Sequence, residues 1–225
     1  MDVEFQVTAD GSHTLFNPQL NECYHSSHGA LQESLHVFIR AGLEFATGKP
    51  GIIRILEVGF GTGLNALLTI QAATVQSLQV EYTAVEASPL DEKITSTLNY
   101  PQVIQDPLAG DWFSSLHAAP WGEQKTITPH FSIKKLHARI QELELAEGSF
   151  DLIYFDAFAP QKQPDMWLPD VLTKVAESLC ERGCLVTYCA KGQVKRDLRA
   201  AGLLVESLAG PPGKREMIRA TRPQT

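Results

Sequence analysis

The clearest pattern along the chain is an apolar run, Ile52, Ile53, Ile55, Leu56 and Val58, that breaks into glycine at Gly59, Gly61 and Gly63 and resumes with helix formers from Leu64 to Leu68. An apolar run of this kind reads as a strand buried on both faces, inside a parallel sheet. Strand, glycine turn and helix, in that order, let backbone N–H groups and a helix N-terminus face a ligand. Further strands are expected at residues 80–86 (VEYTAVE), 126–135 (TITPHFSIKK), 149–158 (SFDLIYFDAF) and 184–190 (CLVTYCA). Two last strands, 203–208 and 215–220, are joined by AGPPGK. The spacing predicts helices over 63–73, 88–98 (capped by Ser88 or Asp91), 136–145, 166–182 (closed by Gly183) and 191–200. Residues 99–125, which hold Pro101, Pro107, Pro120, Trp112 and Trp121, read as an irregular connection covering the ligand site.

Ahead of this core, VEFQVT and HTLF flank Asp10-Gly11, a hairpin signal. Leu31, Leu35, Phe38, Ile39, Leu43 and Phe45 then recur at near-helical spacing, so residues 29–46 are expected to form an amphipathic helix ending near Gly48 and Pro50. The expected architecture is α/β and Rossmann-like. It has a mostly parallel seven-stranded sheet, helices on both faces and an antiparallel last strand. Residues 1–48 form a small N-terminal hairpin and helix packed on a core of residues 49–225.

Composition narrows the class. The 225 residues suffice for one sizeable domain. No apolar run approaches ~20 residues, so no helix is expected to span a membrane, and MDVEFQV has neither a basic nor an apolar leader segment. Cys23, Cys180, Cys184 and Cys189 show no CxxC pairing and read as reduced thiols of a cytoplasmic protein. No His lies at ligand spacing from them, so no metal site is expected. The net charge of −7 argues against a nucleic-acid partner, but it is unevenly spread. From Gly183 onward eight Lys/Arg face three acids, giving +5 and leaving −12 on the first 182 residues. A basic end on an acidic body is either a polyanion footprint or a solvated helix face with an ordinary tail, and charge alone does not choose.

Glycine spacing identifies the ligand class. A dinucleotide fingerprint, G-x-G-x-x-G, would need its third glycine where Leu64 stands. The chain has G-x-G-x-G instead, with Glu57 two residues before the first glycine. An acid there repels a pyrophosphate and suits a cationic or hydroxyl-bearing ligand. Glu86, at the tip of the second core strand, sits where a nucleoside's ribose hydroxyls are held. Asp156 ends a third ligand-side strand, so three acids are expected to converge on one crevice. The E-x-G-x-G-x-G pattern resembles the first motif of class I S-adenosyl-L-methionine (SAM) methyltransferases. That likeness implies that Glu57, Gly59, Phe60, Gly61, Gly63, Asn65 and Glu86 bind SAM.

Asp156-Ala157-Phe158-Ala159-Pro160 resembles the acceptor loop of amine methyltransferases. EVGFGTGLN, DAFAPQKQPDMW and GPPGKREM, with ECYHS and GALQESLHVF, are together similar to the MnmD-type methyltransferase of bacterial tRNA wobble-uridine modification, also the methyltransferase module of the MnmC family. The likeness spans roughly residues 20–220. It implies SAM-dependent N-methylation of 5-aminomethyl-2-thiouridine in tRNA to the 5-methylaminomethyl form. Asp156 would orient the attacking amine and accept its proton. Phe158, Pro160, Lys162, Lys214 and Arg215 would bind the substrate. No stretch resembles an FAD-dependent oxidase, so methylation alone is expected, with a separate oxidase acting upstream. One departure stands out: where the family usually carries an acid after the third strand, this chain reads Leu136-His137-Ala138. Two rival readings keep the same fold: transfer of a methyl or aminopropyl group to a small amine, and a non-catalytic tRNA-binding scaffold.

Overall fold

A computed structural model describes residues 3–48 and 51–224. Glu4–Val7 (β1) and His13–Asn17 (β2) pair antiparallel across the Asp10-Gly11 turn, and Glu22–Cys23 (β3) pairs with β2. Gly11 supplies the positive φ, +82°, that the turn needs. The Asp10 carboxylate accepts from the Ser12 and Gln32 backbone N–H groups, at 3.0 and 2.9 Å, tying the hairpin to the helix that follows. That helix covers residues 30–46, with its middle, Leu35–Leu43, wound as a π-helix. It buries Val37, Phe38, Ile39 and Leu43 against the sheet. It ends at Ala46, and the expected stop at Pro50 lies outside the described residues.

The core strands are Ile52–Val58 (β4), Gln79–Glu86 (β5), Gln124–Thr128 (β6), Phe131–His137 (β7), Phe150–Phe155 (β8), Leu179–Thr187 (β9), Leu204–Ala209 (β10) and Glu216–Thr221 (β11). Among the described residues eight strands form this sheet, in the order β10-β11-β9-β8-β4-β5-β7-β6. From β7 to β9 the neighbours run parallel, and β11 lies antiparallel between β9 and β10. Six of the expected strands are present, and the one expected over 126–135 is split by a turn into the edge hairpin β6–β7. On one face pack the N-terminal helix and the helices Leu64–Gln76 and Ala109–Ala118. On the other pack Pro169–Glu177 and Gly192–Ala200.

Several local expectations are corrected. Residues 99–125 are not an irregular cover; they contain the helices Tyr100–Ile104 and Ala109–Ala118. Pro101 sits in a first helical turn, where its missing N–H costs nothing. Trp112, Phe113 and Leu116 bury one face of the second helix in the core. The stretch 136–145 is not helical: β7 runs to His137 and only Ile140–Glu142 makes a 3₁₀ turn. The helix expected over 166–182 is confined to Pro169–Glu177, after a 3₁₀ turn at Pro164–Trp167. Gly183 therefore lies inside β9, where a Cβ would come within 2.8 Å of the Cys180 carbonyl oxygen. Asp91, not Ser88, caps a shorter helix, Glu92–Thr95, accepting from the Lys93 N–H at 2.8 Å.

Candidate active site

The site lies beyond the carboxyl ends of β4, β5 and β8, where an open α/β sheet leaves a crevice. β4 ends at Val58 and the chain turns through Gly59, Gly61 and Gly63, at φ +96°, +49° and +77°. Only glycine takes such angles without strain. At Gly59 space is a second constraint: a Cβ would stand 2.5 Å from the Asp156 carbonyl oxygen. The glycine turn therefore abuts the end of β8. Gly59 N–H donates to the Val85 carbonyl at 2.9 Å, and Gly61 N–H to Glu86 Oε2 at 2.9 Å. Glu86 Oε1 accepts from Ser88 N–H at 2.9 Å. Glu86 thus braces the turn from β5 while its half-buried carboxylate lines the cavity.

Glu57 does not line the cavity, contrary to the expectation that three acids converge on its surface. As the penultimate residue of β4 it points into the core and is fully buried. Its Oε1 accepts from Asn65 Nδ2 at 3.0 Å, and the same amide nitrogen donates to Asp156 Oδ2 at 2.8 Å. Asn65, on the first turn of the helix after the glycines, thus bridges the two acids with both its N–H bonds. Burial, reinforced by the Asp156 charge, pushes Glu57 well above the usual carboxylate range. Burial also pushes Asp156 up to about 7; the Asn65 hydrogen bond and Lys214 pull against that rise, and Glu33 adds to it. Asp156 is the half-buried member of the trio and faces the cavity. A carboxyl group poised near neutrality can take up or release a proton at physiological pH.

The loop after Asp156 is pinned. Trp167 Nε1 donates to the Phe158 carbonyl at 2.7 Å, and the Tyr188 hydroxyl to that of Ala157 at 2.8 Å. The Phe158 ring meets Tyr24 edge to face at 5.0 Å, and both line the cavity. Phe60 also reaches the cavity, but its ring is buried against His117 and Trp121. Lys135, in β7, lies behind it: a buried ammonium that donates to the His117 carbonyl at 2.8 Å, brought down to about 8 by burial.

The expected substrate-binding residues are not brought together in one surface. Pro160 and Arg215 line an open depression beside the cavity, with Lys191 and Lys214. Arg215 is exposed there. Lys162 donates to the Asn21 carbonyl at 2.9 Å. Lys214 is committed to the Glu33 carboxylate, with its ammonium 3.7 Å from the centre of the Tyr188 ring. Lys214, expected to bind the substrate, thus reaches the depression with its ammonium already paired.

Sequence reasoning did not single out Asn17, Leu20, Tyr24 and His25, which close the cavity from the N-terminal segment, or Tyr188 and Met166 on the far wall. The ECYHS stretch was the available signal. At the third strand β7 ends at His137, and the cavity wall beyond it is Ala138 and Ile140.

A glycine turn at the end of the first core strand, braced by an acid from the next strand and facing a carboxylate from the fourth, defines a SAM-dependent methyltransferase core. A family model described as S-adenosyl-L-methionine-dependent methyltransferase matches residues 108–223, and the chain belongs to that family. The bifunctional protein MnmC of tRNA 5-methylaminomethyl-2-thiouridine biosynthesis from Paracidovorax citrulli is 31% identical over 92% of this chain and 34% of its own length. A Burkholderia mallei MnmC is 31% identical over 91% of the chain and 33% of its length. The chain thus spans about a third of these curated relatives. The crystal structure of MNMC2 from Aquifex aeolicus aligns over 100% of this chain and 73% of its own, with TM-score 0.77 and 30% identity. Spermidine synthase from Thermotoga maritima shares the fold, at TM-score 0.53 and 11% identity.

The residues present fit SAM. The glycine turn lines the cavity with side-chain-free backbone at Gly59 and Gly61, and Glu86 stands at the tip of β5. Asn65 lines the same cavity with an Oδ1 that has no hydrogen-bond partner among the described residues.

Proposed function

We propose that this chain methylates the 5-aminomethyl group of 5-aminomethyl-2-thiouridine at the tRNA wobble position, giving the 5-methylaminomethyl form. The observation that carries the reading is Asp156, a cavity-facing carboxylate held by Asn65, immediately beside the glycine turn. The MnmC relatives, named for biosynthesis of that product, supply the substrate class. On this reading Gly59, Gly61 and Glu86 hold the cofactor; Gly63, expected with them, packs against His117 and Phe60 and only shapes the turn, and Glu57 supports the site through Asn65. SAM supplies a methyl group made electrophilic by its sulfonium. Asp156 accepts a hydrogen bond from the substrate amine and so aims the nitrogen, which is where most of the acceleration arises. Near neutrality it also takes the proton that the amine must lose. Tyr24 and Phe158 form an aromatic wall for the extruded base. Lys191 and Arg215, beside the cavity, face the phosphates. A separate FAD-dependent oxidase acting upstream and a cytoplasmic location belong to the same proposal; among the described residues no helix is long and apolar enough to cross a membrane.

The test incubates the protein and methyl-labelled SAM with bulk tRNA from cells lacking the modification, followed by nucleoside analysis. Label is expected in 5-methylaminomethyl-2-thiouridine. Asp156→Ala is expected to bind SAM as wild type by calorimetry and to lose methyl transfer by about 100-fold or more. Label absent from tRNA but present on putrescine or another small amine would replace the substrate. SAM binding with no transfer to either would favour the scaffold.

A further inference from the structure

Glu33 and Lys214 lie 181 residues apart in sequence and meet as a salt bridge between the N-terminal helix and the β10–β11 loop. Glu33 is almost fully buried. Its second oxygen accepts from the Ser26 N–H at 2.8 Å, so the carboxylate cannot swing away. Lys214 sits over the Tyr188 ring, and the Tyr188 hydroxyl holds the carbonyl of Ala157, the residue after Asp156. Neither Glu33 nor Lys214 lines the cofactor cavity, so any part they play in the chemistry is exerted through Tyr188 and Asp156.

We propose that the Glu33–Lys214 pair is a positioning device for methyl transfer, which fastens the N-terminal helix and the last hairpin across Tyr188 and places two opposite charges behind the loop that carries Asp156. The proposal rests on Asp156 being the acceptor-side carboxylate. Several groups surround Asp156. Glu57 and Tyr82 lie beneath it from β4 and β5, both interacting with its charge. Tyr188 follows β9, and Glu86, Tyr24 and His25 stand on the cavity wall. Glu57 shares the Asn65 amide with Asp156, and Glu86 braces the glycine turn, so neither can change without disturbing the cofactor side. Glu33 and Lys214 are opposite charges held outside the cavity: Glu33 favours the protonated Asp156 and Lys214 the ionised one. Solvent screens a buried charge less than an exposed one, and the Glu33 side chain is almost fully enclosed while that of Lys214 is partly exposed. The arrangement therefore makes two opposite, separable predictions for one carboxyl group.

The measurement is a carbon-13 carboxyl NMR titration of the full chain, with Asp156 identified by the signal that Asp156→Asn removes. Its wild-type midpoint is expected at about 7. Glu33→Gln should lower the midpoint and Lys214→Met should raise it, each by about half a unit or more, with the double variant falling between. Lys214→Arg, which keeps the charge, should restore the wild-type midpoint. Midpoints that stay put, or that move the same way in both variants, would overturn the proposal, and so would a Lys214→Arg protein that titrates like Lys214→Met. The acid limb of the methyl-transfer rate separates this from the parent reading. If Asp156→Asn keeps the wild-type limb, Asp156 is not the acceptor-side group. If that limb disappears in Asp156→Asn but stays fixed in Glu33→Gln and Lys214→Met, the pair is structural only.

Discussion

At the scale of single residues, the site is governed by what each atom can still bond. Asn65 spends both N–H bonds on carboxylates, which is why two acids can lie so close together in a largely dry environment. Gly59 is the residue whose replacement is easiest to reason through. A Cβ would strike the Asp156 carbonyl oxygen, a backbone atom that cannot rotate aside, and φ is +96°. Gly59→Ala should therefore weaken SAM binding by at least about tenfold, the equivalent of ~1.4 kcal/mol, while circular dichroism shows a retained fold. An affinity equal to wild type by calorimetry would mean that the turn does not hold the cofactor. Glu57 shows where residue-level reading from sequence misleads. Its spacing from the glycines is informative, but strand alternation turns its side chain under the turn and away from the ligand surface.

At the scale of elements, the N-terminal helix does more than extend the chain. Gly42 lets it approach the sheet: a Cβ there would stand 2.9 Å from Val186 and 3.2 Å from Tyr154. Val186 and Tyr154 belong to β9 and β8, the strands that lead to Tyr188 and Asp156. Gly42→Val should cost about 1–3 kcal/mol through overpacking, read as a lower midpoint in chemical denaturation. Because the helix also carries Glu33, methyl transfer should fall by more than SAM affinity does. The element errors of the sequence reading share one origin. Pro101 looks like a breaker, yet it sits in the first turn of a helix, which has no N–H bond to lose, and Pro169, inside the expected helix over 166–182, is where the observed helix begins. Gly183 looks like a helix stop, yet it is the close-packed point inside β9.

For the whole molecule, two properties follow from where charge is placed. The basic C-terminal segment from Gly183 onward is not a uniform patch. Lys195, Lys214 and Arg219 are paired with Glu216, Glu33 and Glu206, respectively. Lys191 and Arg215 remain beside the cavity. Changing those two to Ala should lower tRNA affinity and flatten its dependence on log salt by up to about 2 units of slope, measured by filter binding. A slope equal to wild type would place the tRNA elsewhere. The second property is a pH-dependent cost. The Asp156 carboxyl group titrates higher in the folded chain, about 7, than in the unfolded chain, 3.8. The folded state therefore binds more protons in that window, and this group makes the protein more stable as pH falls from about 7 towards 4. His25 runs the other way: burial lowers it to about 4, so its contribution is present above 6.5 and lost as pH falls. Asp156→Asn should thus stabilise the protein at pH 8 by about 1–3 kcal/mol, with the gain shrinking as pH falls below about 7 and vanishing only below about pH 4. A gain that does not depend on pH would show that the carboxylate charge is not its source.

The sequence by itself determined the βα alternation, the glycine turn, the methyltransferase class and the placement of Glu86 and Asp156 at strand ends. These follow from local pattern and the resemblance it carries: apolar runs fix strands, glycine spacing fixes the turn, and the carboxyl ends of parallel strands border the crevice. Only the tertiary structure decided that Glu57 lies under the site, that Asn65 joins it to Asp156, that Tyr24 and His25 close the cavity, and that Lys214 answers Glu33. Each of those depends on which side chains meet across distant segments, and hydrogen-bond partners and burial are not written in the periodicity of any one of them.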